Sequence, residues 1–161
     1  MKSLFKKLPA LALCAAIAAG AASCAASKDA SATQGQEVRY NEAVNYAVRN
    51  DAPEQTARVV YDMETFDSIF TPTATMGEEG RPSLIDFGFE VVVPVILPVT
   101  DRATELEIKS VTSETRKDGQ KFLIVAYKAK RGKKNSYKIH PAKILLVSRE
   151  YIGSKVLLIE K

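Results

Sequence analysis

The sequence predicts a mainly β fold of the α+β kind: an antiparallel β-sandwich or curled sheet with one short helix. Three observations point there. From residue 84 onward, strand-length runs of Val, Ile, Leu, Phe and Tyr recur between Gly, Pro, Asn or Asp punctuation. Some runs alternate apolar with polar, as "TELEIKSV" does with Leu106 and Ile108 on one side. One stretch only, "DMETFDSIF", combines helical spacing with a capping residue and a following proline. No internal repeat and no second folded domain interrupts the pattern.

Taken in order, "VRYNEAVNYAV" (residues 38–48) fits two periods. Val38, Tyr40, Val44, Tyr46 and Val48 share strand parity, while Tyr40, Val44 and Val48 also suit a helix face; the β-branched and aromatic content favours strand. "RNDAPEQT" is a polar turn and "ARVVYD" a short strand. In "DMETFDSIF" Asp62 can cap a helix whose apolar face is Met63, Phe66, Ile69 and Phe70, with Pro72 past its end. "TPTATMGEEGRPS" is a loop, and its adjacent Glu78 and Glu79 read as solvated rather than as a metal or acid–base pair.

"IDFGFEVVVPVILPVT" holds one long or two short apolar strands. Pro94 and Pro98 lack N–H donors and imply an edge, bulge or bend. Asp118-Gly119 in "RKDGQ" is a hairpin signal. "KFLIVAYKAK" is apolar on both faces at first, as a central strand would be. "RGKKNS" reads as another turn. "SYKIHPAKILLVS" and "SKVLLIEK" supply the last strands, joined near "REYIG".

Ahead of this domain lies a different composition. Lys2, Lys6 and Lys7 precede "LPALALCAAIAAGAA", an apolar, small-residue run shorter than the roughly 20 residues of a membrane-spanning helix. That is the layout of a secretory signal peptide, predicted over residues 1–23. "AASC", ending at Cys24, resembles the lipobox of bacterial lipoproteins. The resemblance implies that the Cys24 sulfur carries diacylglycerol and its amine an acyl chain. Each buried CH₂ contributes about 0.8 kcal/mol, so several chains anchor stably. Cys14 follows Leu13, where the lipobox has a small residue. "AASKDASATQGQ" continues residues 24–36 as a flexible tether. In lipoproteins of enteric bacteria an aspartate after the cysteine retains the protein at the inner membrane. Ala25 stands there, so the resemblance implies the outer membrane of a Gram-negative bacterium.

Processing changes the charge. The whole chain has 23 Lys+Arg and 19 Asp+Glu, net +4, and a pI near 9.0. Without residues 1–23 it has 20 against 19, which removes the case for a nucleic-acid partner. With Cys14 discarded and Cys24 modified, no internal disulfide can form, and the single domain over residues 37–161 must rest on its core. Residues 37–118 carry 16 acidic and 8 basic side chains; residues 119–161 carry 2 and 11. A fold pairing early strands with late ones would bring these opposite charges together. The alternative is two separate binding faces.

Chemistry is sparse. His140, the single histidine, precedes Pro141 and is expected on an extended, surface or half-buried strand. No nucleophile is marked, no zinc-ligand spacing, phosphate-binding loop or EF-hand calcium loop is present, and no cofactor is expected. The densest feature is "KAKRGKKN", where Lys128, Lys130, Arg131, Lys133 and Lys134 are expected to crowd one hairpin tip. Such a tip is either a solvated turn that discourages edge pairing or a docking patch for anionic lipid, polysaccharide or acidic protein.

From Met63 onward the order of features resembles the PrcB-like family, small exported proteins named for a subunit of a bacterial surface protease complex. "METFDSIF", "IDFGFEVVVPVI", "TELEIKSV", "DGQKFLIVAYK", "SYKIHPAKILLV" and "KVLLIE" carry the likeness. "TATMGEEGRPSLIDF" and "DRATELE" are similar to uncharacterised small lipoproteins of gut anaerobes. The resemblance implies partner binding without catalysis and supplies no catalytic residues.

The expected function is therefore a lipid-anchored, noncatalytic envelope protein whose β domain binds a macromolecule such as a protein or protease. "VVVPVILP" is a second candidate surface if its edge is exposed. A binder of glycan or lipid would instead show a concave pocket lined by Tyr or Phe. A hydrolytic enzyme would place His140 or a carboxylate pair in a cleft.

Overall fold

The computed structural model describes residues 35–52, 57–73 and 80–161. Cys24, the expected signal peptide over residues 1–23, the pair Glu78 and Glu79, and the expected tether up to residue 34 lie outside them; Gln36, expected at the tether's end, is instead the first residue of a strand.

Among the described residues, nine strands, one α-helix and a short 3-10 turn at Arg149–Tyr151 form three layers. The first sheet has the order β1 (Gln36–Glu37), β6 (Thr100–Thr115), β7 (Lys121–Ile139), β9 (Lys155–Glu160). The second has the order β2 (Tyr40–Ala43), β8 (Ala142–Ser148), β5 (Glu90–Ile96). A two-stranded ladder joins β3 (Tyr46–Val48) to β4 (Phe70–Pro72), beside the helix α1 (Met63–Ile69). The pairing is antiparallel except between β7 and β9, which run parallel.

The second sheet is buried on both faces, which explains why "EVVVPVI" and "KILLV" read as nearly continuous apolar runs. Alternation sends Val91, Val93 and Val95 into the core shared with the first sheet, where they meet Leu123, Val125, Val111 and Leu145. Val92, Ile144 and Leu146 point the other way, onto Phe66, Ile69, Phe70 and Val48. Pro94 fits because Val92 directs its N–H and C=O to Val60, away from β8. Pro94 shares that direction, so its missing N–H removes no bond to β8.

Segment 38–48 is strand, as its composition favours, but broken in two: Asn45 adopts φ 64 between β2 and β3. "ARVVYD" forms only two bridges, Arg58 to Lys155 and Val60 to Val92, so it crosses from the first sheet to the second. On the opposite side β1 and β2 make the same crossing. The sheets are thus stitched at both edges without closing into a barrel.

α1 begins where expected. Asp62 accepts from the Thr65 N–H at 2.7 Å and from its hydroxyl at 2.9 Å. Phe66 and Ile69 are buried, and Phe66 stacks against Phe70 and edge-on to Tyr46. Met63, expected on the apolar face, is 49% exposed in the first turn. The hairpin at Arg116–Gln120 closes with Gly119 at φ 79, a conformation that glycine adopts at no steric cost.

Two expectations are corrected. "RGKKNS" is not a turn, and the five cations do not crowd a hairpin tip: all lie within β7, paired with β6. β7 absorbs the extra residues as bulges, since Thr104 faces Arg131, Arg102 faces Lys134 and Thr100 faces Ile139. The chain reverses instead at His140-Pro141, where proline can no longer donate to a ladder. "SYKIHPAKILLVS" is consequently two strands, the end of β7 and all of β8.

Candidate interaction surfaces

β6 and β7 are much longer than their neighbours, and their far half continues as a two-stranded ribbon whose end, Thr100 opposite Ile139, leads into the second sheet at Ile96 and Ala142. The last inward residues that reach the core are Leu106, Tyr127 and Ala129. Beyond them β7 is mainly exposed.

The five cations of "KAKRGKKN" divide into two groups, while Arg102 and Lys138, also on the ribbon, have no ion pair among the described residues. Arg131 grips Glu160 with two bonds, of 2.7 and 3.2 Å. Lys130 stands 3.7 Å from both Glu105 and Glu107, and Lys134 stands 3.1 Å from Asp101. Lys128 and Lys133 are exposed and carry no ion pair among the described residues. Lys128 lies opposite Glu107, but that carboxylate is engaged by Lys109 and Lys130. Lys133 sits on the bulge between the partners of Thr104 and Arg102.

The pairs bring together the two oppositely charged parts of the chain. Lys130, Lys134 and Lys143 come from the basic part; Glu105, Glu107, Asp101 and Glu42 come from the acidic one. Much of the charge asymmetry is therefore neutralised by strand pairing. The hydrogen bonds from Arg131 hold the Glu160 carboxyl below its ordinary range, and the Glu160 carboxylate in turn raises the Arg131 guanidinium. Burial, then the Glu160 charge, pushes the Tyr127 hydroxyl up.

Small side chains hollow the ribbon between these charges. Ala103 and Gly132 open a shallow cleft of about 420 Å³ flanked by Glu105, Lys130 and Arg131. A second, of about 250 Å³, marks the mouth between the two sheets, where Leu97, Val99, Thr104, Arg131 and Pro141 meet. A third groove, of about 390 Å³, lies at the other end of the second sheet, lined among others by Arg39, Asn41, Phe89, Glu90, Leu146 and Ser148.

Other candidates fare differently. The apolar side chains of "VVVPVILP" are not an exposed docking face: Val91, Val92, Val93 and Val95 are fully buried, and Val60 occupies the edge at Val92. His140 is half-buried just past β7 and makes no hydrogen bond or ion pair among the described residues. No helix among the described residues is long and apolar enough to cross a membrane. The third groove has no linear signal, because its residues come from three distant segments that only the strand register brings together.

Comparison with protein-family models, with curated proteins and with solved structures finds no match for this chain.

Proposed function

We propose that this chain is a lipid-anchored protein of the cell envelope, held in the outer membrane through Cys24, whose domain docks another envelope macromolecule without catalysis of its own. An acidic protein surface, that of a protease included, fits the ribbon. The anchor rests on the basic, apolar and small-residue order that ends in "AASC".

One observation carries the docking reading: the exposed Lys128, Lys133 and Lys138 carry no ion pair among the described residues, while Lys130, Arg131 and Lys134 beside them are neutralised. Exposed cations without partners cost nothing to leave in water. They add attraction and speed encounter when an acidic surface approaches. The ribbon's position supports the same reading. The chain enters the described domain at β1, which pairs with Thr112 and Ser113. Arg102 lies ten residues farther along β6, roughly 34 Å at the extended-strand rise. Lys133, beside the partner of Arg102, is thus far from the point where a tether would join, and Lys128, opposite Glu107, about half as far.

A photo-crosslinking side chain at Lys133 in intact envelope tests the docking. A discrete protein adduct, lost when Lys128→Glu is added and weakened by salt, is the expected result. If no adduct forms from Lys133 or from a second probe at Lys128, docking through the ribbon fails.

A further inference from the structure

The groove at the other end of the second sheet has features that its place in the fold does not require. Asn41 faces Leu146 across β2 and β8, and Glu90 faces Ser148 across β5 and β8. Leu146 and Ser148 are two residues apart on β8, so these four side chains share the sheet face that farther along packs on α1. Arg39, two residues before Asn41, lines the same groove. Leu146 still belongs to the cluster that packs on α1, and Asn41 beside it on β2 is exposed.

Its chemistry is mixed in a specific way. Leu146, 6% exposed, supplies an apolar floor, and Phe89, 77% exposed, leaves an aromatic ring in water at the lip. Arg39 stands on one wall and Glu90 on the other, on strands two spacings apart, roughly 10 Å. Neither charge has an ion pair or side-chain hydrogen bond among the described residues, and the Asn41 amide has none either. Donors on one wall, acceptors on the other and an amide able to do both therefore face one space of about 390 Å³. That size lies toward the low end of the roughly 300–1,000 Å³ of small-ligand sites.

These walls select by charge. An anionic ligand meets Glu90, a cationic one meets Arg39, and a lipid chain finds a single buried leucine. An uncharged, hydroxyl-rich ring satisfies all of them. Its hydroxyls accept from the guanidinium and donate to the carboxylate, while its C–H face lies on the exposed Phe89 ring. We infer that this groove is a binding site for an uncharged saccharide, separate from the ribbon and independent of what the ribbon docks.

The test uses the full chain against a panel of uncharged gluco-, manno-, galacto- and N-acetylhexosamine oligosaccharides, with sulfated and uronic-acid glycans and trialanine alongside. Retention of at least one uncharged oligosaccharide is expected. Titration calorimetry with that sugar should show about tenfold weaker binding for Phe89→Ala and for Glu90→Gln, and unchanged binding for Lys133→Glu. Both altered residues lie outside the apolar cores, so thermal melting should match the parent chain and separate lost binding from lost folding. Binding of no uncharged sugar would overturn the inference. So would selective capture of anionic glycans or trialanine, or sugar binding that survives both groove substitutions.

Discussion

Leu123 shows how much one side chain decides here. It is fully buried where β7 faces the second sheet, among Val91, Val93, Val125 and Leu145. Leu123→Ala should lower stability by about 2–5 kcal/mol, because lost transfer energy adds to the cavity left behind. Leu157, 37% exposed on β9, should cost far less when changed to alanine. Urea midpoints of the two variants check the contrast; equal losses would mean that Leu123 is not a core residue. At this scale sequence was a good guide wherever a neighbour within a few residues set the outcome. Asp62 caps as its spacing to Thr65 indicates, and Gly119 takes the left-handed turn that follows Asp118. Met63 differs: it is exposed in the first turn, and the helix buries only Phe66 and Ile69.

At the scale of elements, the ribbon is where local reading failed. Gly132, Asn135 and the lysines around them have turn composition, yet the acidic residues of β6 opposite make a strand the better solution. That partner lies some thirty residues earlier and leaves no mark in a short window. The Arg131–Glu160 pair joins this ribbon to β9 and has a testable signature. The folded Glu160 carboxyl titrates below its ordinary value of 4.5. Its contribution is therefore complete above that value and is lost as the pH falls through the lower folded value. Glu160→Gln should flatten that part of the acid limb of stability, a small effect because both side chains are solvent-screened. Chemical denaturation from pH 7 down to about 2 checks it; an unchanged pH slope would remove the pair from the account.

For the whole molecule, composition and periodicity were enough for the fold class, since a two-sheet β core requires repeated apolar strands. The candidate grooves were not legible, because Arg39, Glu90 and Ser148 approach only through the register of three strands. The proposed lipid anchor has its own test. Metabolic labelling with palmitate should mark the parent chain and fail to mark Cys24→Ala. Equal label in both would end the lipid-anchor reading while leaving the two surfaces standing.

The stitched sheet edges also set an order of events. Glu42 and Lys143 touch although they lie 101 positions apart, and among the described residues β2 has no strand partner but β8. Arg58 likewise waits for Lys155. A chain made from its N-terminus can close the β3–β4 ladder and the β6–β7 hairpin early, but β2 stays without its partner until β8 emerges, and Arg58 until β9 does. Pairings of such separation are slow to form, and unfinished strands expose apolar surface meanwhile. The two sheets are therefore joined at both edges only when synthesis is nearly complete, whatever ladders form before.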